Sequence, residues 1–341
     1  MWSIGGLRLE DRVVLGPMSG YTTPAYRRFM ERFGAAASVT EMVSAQGLVH
    51  NPRDSARFVE ASDAPTGAQV FGGDPESLAR GAVAALDLEP RLRFIDLNMG
   101  CPVKKVVSRG AGSAMMSDPA LCGRAVEAVK DAVDVPVTAK IRLGRTRESV
   151  NFAEVLDELV RGGADAVTVH ARTASQGYSG RADYSAIAGL QERLPVPLVV
   201  SGDIYTAEGA AAALDATGAA GVMAARGAVG NPFLVTQINR LLRTGDLLPG
   251  PTMSQQAEWC LCLMDAVVEE SGDVVGLARM RSLAPRFLSG CRYGREYKRA
   301  FTDASTDLDG MRRMLEKVRD EMAGVPVRPR GGEGPGPGQP A

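Results

Sequence analysis

The chain has 341 residues, enough for one large barrel with an appendage or for two ordinary domains. Its 45% hydrophobic and 23% charged content excludes an intrinsically disordered chain. Lys plus Arg (39) against Asp plus Glu (40) leaves a net charge of −1, so bulk charge points to neither a nucleic acid nor a membrane surface.

Along residues 12–242, short apolar runs alternate with helical stretches. Strands are expected near Arg12–Pro17, Ser38–Met42, Ala68–Phe71, Phe94–Asn98, Val137–Ile141, Ala166–Val169, Leu198–Ser201 and Gly221–Ala224. Each run is bounded by Gly, Pro, Asp or Asn, as buried parallel strands are. Helices are expected over Pro75–Leu86 behind an Asp74 cap, Asp118–Val133, Asn151–Arg161, Ala182–Leu194 and Ala207–Ala216. Eight strand–helix units give an α/β chain, a (β/α)8 TIM barrel over residues 1–242. A doubly wound sheet is the competing arrangement, and the regularity of the eight units favours closure.

After residue 243 the pattern becomes helical. Residues 247–251 read as a linker, Ser254 as the cap of a helix ending near Gly272, and Val274–Leu288 and Leu308–Met322 as further helices, with Pro285 ending or kinking its own. Residues 243–325 are therefore expected to form a small all-helical domain. Residues 326–341, rich in Gly and Pro, are expected to be a disordered tail. No apolar run approaches the roughly 18 residues that span a bilayer, and the N-terminus lacks a signal-peptide layout.

Five cysteines without framework spacing suggest reduced thiols and a cytoplasmic protein. Two histidines make a His-rich metal site improbable, and Cys260-Leu-Cys262 has no partner ligands nearby, so no metal is expected.

In a barrel, chemistry gathers at the carboxyl ends of the strands. Those ends carry Pro17-Met18-Ser19, Glu41, Gln69, Asp96 and Asn98, Lys140 and Arg142, His170 and Arg172, Ser201-Gly202-Asp203, and Ala225-Arg226. So many polar groups meeting at one mouth exceed what packing requires. Lys140 lies within an apolar strand. Its purely structural account is a salt bridge to Glu41 or Asp96, and its functional account is a cation facing developing negative charge. Arg226, before Gly227 and a helix, stands where barrels often bind phosphate, and its purely structural account is a surface Arg. Cys101 sits in a Gly-Cys-Pro turn directly after a strand, and a thiol, mostly protonated at neutral pH, is able to act as an acid there. Cys122, Cys260, Cys262 and Cys291 read as structural. Gly110-Ala-Gly112 lacks the context of a dinucleotide fingerprint and reads as a loop over the site.

The blocks Pro17-Met18-Ser19-Gly20, Glu41-Met42, Asp96-Leu-Asn98-Met-Gly100-Cys101-Pro102-Val-Lys104-Lys105, Lys140-Ile-Arg142, His170-Ala-Arg172-Thr and Ser201-Gly202-Asp203-Ile resemble the tRNA-dihydrouridine synthases, with the Lys-Lys version nearest the bacterial B-type branch. The resemblance implies an FMN-dependent enzyme that uses NADPH (or NADH) to reduce the C5–C6 bond of uridines in tRNA. It implies Cys101 as proton donor, with Asn98, Lys140 and His170 in the catalytic group. Pro17, Met18, Ser19, Gln69, Lys140, His170, Ser201, Gly202, Asp203, Ala225 and Arg226 would bind the cofactor. The family commonly has Asn-Gly-Asp where Ser201-Gly202-Asp203 stands and Gly-Arg where Ala225-Arg226 stands.

RNA binding requires local cations. Residues 279–299 hold Arg279, Arg281, Arg286, Arg292, Arg295, Lys298 and Arg299 against one acid, Glu296. Together with Lys104, Lys105 and Arg172 they form the expected tRNA contact set. The competing readings are an FMN-dependent dehydrogenase of a free pyrimidine and a non-catalytic RNA-binding barrel. No membrane or obligate protein partner is expected.

Overall fold

The computed structural model describes residues 1–289, 299–301 and 303–327. Arg292, Arg295, Lys298 and Cys291 lie outside the described residues, as does all of the expected tail beyond Val327.

A hairpin of β1 (Trp2–Ile4) and β2 (Leu7–Leu9) precedes the barrel. The barrel strands are β3 (Val13–Leu15), β4 (Ala37–Val39), β6 (Thr66–Phe71), β7 (Phe94–Asn98), β8 (Val137–Arg142), β9 (Ala166–His170), β10 (Leu198–Ser201) and β11 (Gly221–Ala224). All pair in parallel. β4 pairs with both β3 and β6, and β11 returns to β3, so the sheet closes. The expected second strand, Ser38–Met42, is interrupted: β4 stops at Val39, and a two-residue β5 (Val43–Ser44) pairs separately with β6. The barrel is thus an eight-stranded TIM barrel with one short strand at its rim.

Helices α1 (Pro24–Glu31), α2 (Ala45–His50), α3 (Pro52–Val59), α4 (Pro75–Leu88), α5 (Lys104–Val107), α6 (Pro119–Ala132), α7 (Phe152–Arg161), α8 (Ala207–Thr217) and α9 (Phe233–Thr244) lie in the connections. Their starts are chemically marked. Thr23, Asp74, Asp118 and Thr206 each accept a backbone N–H of the first turn, and Pro opens α1, α4 and α6. The expected helix Ala182–Leu194 does not form; two short 3-10 turns, Ser185–Ile187 and Leu190–Arg193, stand in its place. The Asp183 carboxylate takes the Ser185 and Ala186 amides in a local turn, and Gly189 adopts φ 61° between the two turns.

The barrel floor is filled from the hairpin. Ile4 and Leu9 pack with Val14, Ala37, Val39, Phe94, Ala166, Val199 and Met223. Gly67 is required beside this layer, because a Cβ there would lie 2.1 Å from the Phe94 ring. With the floor filled, the open end lies at the carboxyl ends of the strands.

Beyond α9, α10 (Met253–Phe287) begins at Thr252, not Ser254, with a Thr252–Gln255 capping box. Gly272 (φ 71°, ψ 170°) breaks it where a stop was expected. The second half continues through Pro285 to Phe287. α11 (Leu308–Glu321) packs along α10. The helices dock on the barrel through aromatic contacts: Phe33 and Phe233 meet Trp259 at 5.2 and 5.6 Å, and Phe29 meets Phe287 at 6.4 Å. Residues 325–327, of which 326 and 327 were expected in the tail, are tied down: Met253 N–H donates to the Val325 carbonyl and Val327 N–H to that of Pro251. Among the described residues no helix is long and apolar enough to cross a membrane.

Candidate active site

A narrow cleft of about 70 Å³ opens at the carboxyl end of the barrel. Pro17, Met18, Lys140, His170, Ser201, Gly202, Asp203, Ala225 and Arg226 line it, each from a sequence-predicted strand end. Strand register sets them side by side: Lys140 lies opposite Asn98 and Thr168, and His170 lies opposite Arg142 and Ser201. Ser19 is exposed and does not line the cleft, and neither does the buried Gln69.

One carboxylate organises the far wall. Among the described residues Asp203 is the one non-glycine with positive φ (50°). It accepts from Arg172 at 2.5 Å, from the Ala182 amide at 2.8 Å and from Arg226 at 3.4 Å. Gly202, at φ 126°, is held by the Tyr184 hydroxyl on its carbonyl, and a Cβ there would meet Ala182 at 2.8 Å. Arg172 is 1% exposed and spends its guanidinium on Asp203 and the Ser179 and Gly180 carbonyls. Buried and engaged in this way, Arg172 braces the wall of the cleft. Arg226 lies 4.0 Å over the Tyr178 ring, and His170 faces the same ring at 6.3 Å. The reading by strand ends missed Tyr178 and Tyr205, which also line the cleft. The sequence signal for Tyr178 was an aromatic between two glycines in the loop after β9.

The electrostatics separate two roles. Lys140 is brought down to about 8, first by burial and then by Arg142, with Asp96 and Cys101 acting in the opposite sense. No salt bridge binds it to Glu41 or Asp96 among the described residues; Glu41 instead accepts the Gly20 amide at 2.5 Å. His170 is held well below its ordinary value by burial and by the cations Arg142, Lys140, Arg172 and Arg226, so it stays neutral.

Behind the Cys101 turn runs a buried hydrogen-bonded chain. Asp96 accepts from Thr138 Oγ1 at 2.6 Å and from Gln69 Nε2 at 2.7 Å. Gln69 Oε1 accepts from Asn98 Nδ2 at 2.7 Å. Asn98 Oδ1 then accepts the amides of Gly100 (3.2 Å) and Cys101 (2.9 Å). Cys101 itself is partly exposed and unbonded to other cysteines. The loop at Gly110–Gly112 backs this turn: Ser113 N–H donates to the Cys101 carbonyl at 3.0 Å, and a Cβ on Gly112 would lie 2.7 Å from that oxygen.

Of the expected RNA contacts, Lys104 and Lys105 are exposed on α5, and Arg281 and Arg299 are exposed in the C-terminal region. Arg279 pairs with Glu270 at 2.7 Å, and Arg286 donates to the Tyr21 hydroxyl at 2.8 Å.

Residues 14–323 match the family model described as Dihydrouridine synthase (Dus). The chain is 36% identical over 300 residues to tRNA-dihydrouridine synthase B of Pseudomonas putida, covering 87% of this chain and 88% of that one. It is 36% identical over 303 residues to a probable tRNA-dihydrouridine synthase of Rickettsia bellii (88% and 92%). Against tRNA-dihydrouridine synthase B of Pseudomonas aeruginosa it is 33% identical over 327 residues (94% and 98%). Among solved structures it resembles a histamine dehydrogenase from Rhizobium (TM-score 0.55, 16% identity, 77% of this chain and 50% of that one) and a morphinone reductase (TM-score 0.52, 14% identity, 73% and 90%), likenesses of fold.

Proposed function

Since the chain belongs to the dihydrouridine synthase family, we propose that its barrel mouth reduces the C5–C6 bond of uridines in tRNA to give dihydrouridine, with FMN as cofactor and NADPH as reductant. The observation that carries this reading is a cationic cleft with a partly exposed thiol just beyond the next strand end: Cys101 follows β7, whose Asn98 lies opposite Lys140 of β8.

The cleft fits a phosphorylated flavin by its donor set. It offers Lys140, Arg226 and the Ser201 hydroxyl, which makes no side-chain hydrogen bond among the described residues; its carboxylate, Asp203, is already engaged. Arg226 and the backbone amides after β10 and β11 would hold the phosphate. Ala225 adds one methyl there and removes no donor. Lys140 would stabilise negative charge on the ring system, and neutral His170 would give it a hydrogen bond without adding a second charge. When bound, the flavin supplies a hydride to uracil C6.

The chain's own part is positioning and proton transfer. The target base must leave its stack to enter the mouth. Cys101 Sγ–H then delivers a proton to C5 as charge gathers there. The Asn98 carboxamide holds the Cys101 backbone so that the thiol is presented consistently. The exposed cations of α5 and of the helical region at 243–325 take the RNA backbone. Nicotinamide visits the same mouth before the RNA arrives, in a ping-pong cycle. The B-type branch is supported by the relatives above.

The test is direct. Purified protein is expected to be yellow, to release FMN on denaturation and to form dihydrouridine in unmodified tRNA with NADPH. Cys101→Ala is expected to keep its colour and its NADPH oxidation while product formation falls by about 10²–10⁴-fold, the usual worth of a general acid. A colourless protein that cannot be reconstituted with FMN would leave only an RNA-binding barrel. Turnover of free pyrimidines but not of tRNA would favour the small-molecule dehydrogenase.

A further inference from the structure

A second, outer cleft of about 490 Å³ begins at Pro102, the residue after Cys101. Its walls are three segments: residues 102–117, the loop at 144–149 after β8, and residues 174–175 after β9. They are fastened together before any ligand arrives. Ala174 N–H donates to the Gly144 carbonyl at 2.9 Å and Ser175 N–H to that of Arg145 at 2.8 Å. Asn151 Nδ2 reaches the Met116 carbonyl at 2.6 Å.

The lining is hydroxyl-rich, with Ser117, Thr146, Ser149 and Ser175 among its residues. Its one charged lining group is Arg145, whose Nη1 lies 3.2 Å from Ser117 Oγ and which makes no ion pair among the described residues. The charged residues of segments 102–117 and 144–149 are Lys104, Lys105, Arg109, Arg145, Arg147 and Glu148, five basic against one acidic. Glu148 makes no ion pair with Arg145 among the described residues. An uncompensated guanidinium among hydroxyls on a basic rim is the chemistry of phosphate recognition. A nucleotide chain delivering a base to Cys101 must carry its neighbouring phosphodiester away from that turn, and this cleft starts one residue beyond it.

We propose that the outer cleft is a subsite for the RNA phosphodiester next to the target uridine, with Arg145 as its cation. The inference rests on the tRNA-reducing reading above. Arg145 grips substrate backbone and takes no part in proton or hydride transfer.

The test uses the full-length, FMN-loaded protein and compares wild type, Arg145→Ala and Arg145→Lys. Two quantities are read on each: tRNA affinity across a salt series, and the rate of flavin reduction by NADPH without RNA. For Arg145→Ala, tRNA affinity and KM are expected to weaken about five- to tenfold, and the slope of log affinity against log salt to fall by about 0.7–0.9 for one lost phosphate contact. Arg145→Lys is expected to recover part of the affinity and the salt slope. Flavin reduction is expected to be unchanged in both. Unchanged tRNA binding in Arg145→Ala would overturn the subsite. A raised KM for NADPH with unaltered tRNA affinity would hand the cleft to the dinucleotide and equally overturn it. A wild-type protein that forms no dihydrouridine would overturn the parent reading and this one with it.

Discussion

Lys140 bears its charge at a cost. Its pKa is lowered from 10.5 to about 8, so between those values the unfolded chain holds the proton that the folded chain has lost. Stability attributable to this group therefore rises with pH from about 8 to 10.5, and near pH 7 the buried cation is a destabilising element. An anion in the cleft relieves that cost only while the lysine is protonated. The thermal shift produced by FMN is accordingly expected to be larger at pH 7 than at pH 9, as differential scanning fluorimetry would read. His170 adds no matching limb: held neutral by the surrounding cations, it leaves the rate profile without an inflection near 6.5. Asp96 is a positioning residue, reaching the Cys101 turn through Gln69 and Asn98. In Asp96→Asn the new NH2 either opposes the Gln69 Nε2 donor or takes Thr138 Oγ1 as its acceptor, and in both cases the charged acceptor that anchors the chain is lost. Product formation is expected to fall about tenfold or more with FMN content retained, measured on the yellow protein. At this scale the sequence disclosed the strand-end residues well. What the sequence does not disclose is their connection, because it depends on register: Gln69 bridges Asp96 and Asn98 across neighbouring strands. The Arg172–Asp203 pair was hidden for a related reason: a strand-end cation reads the same whether it faces solvent or an internal carboxylate.

At the scale of elements, the barrel strands were legible because each is a continuous apolar run cut off by Gly, Pro or Asp. Helices with a side-chain cap in their own sequence, such as α4 and α6, were legible as well. The hairpin β1–β2 was not: two three-residue strands carry almost no period, and their stability comes from the barrel floor they fill. The expected helix at Ala182–Leu194 failed because a local Asp183 turn and a left-handed Gly189 outcompeted it. The floor also sets a sharp steric demand. Gly67→Ala places a methyl against the Phe94 ring with no room between β6 and β7. It is expected to destabilise the fold by about 3 kcal/mol, at the upper end of overpacking costs, and Gly67→Ala with Phe94→Leu is expected to recover part of that loss. Urea denaturation of both variants checks the pair.

For the molecule as a whole, net charge hid the basic groups because acids elsewhere cancel them, and only local counting exposed the run at 279–299. Reversing two members that are exposed among the described residues, Arg281→Glu with Arg299→Glu, is expected to weaken tRNA binding at least tenfold and to flatten its salt dependence, with FMN content unaffected; filter binding across a salt series checks it. The placement of the helices on the barrel lay beyond sequence reading, since Phe29, Phe33, Phe233 and Trp259 come together only after folding. That placement puts a single phenol at a junction. Tyr21 receives a hydrogen bond from Arg286 of α10 at 2.8 Å and lies 3.0 Å from Ser282 Oγ. Its amide donates to the carbonyl of Met18, a wall of the inner cleft. Whatever free energy passes through this phenol obeys thermodynamic reciprocity: the factor by which an occupied cleft strengthens the grip on a polymer along α10 equals the factor by which the polymer strengthens retention of the cleft's occupant.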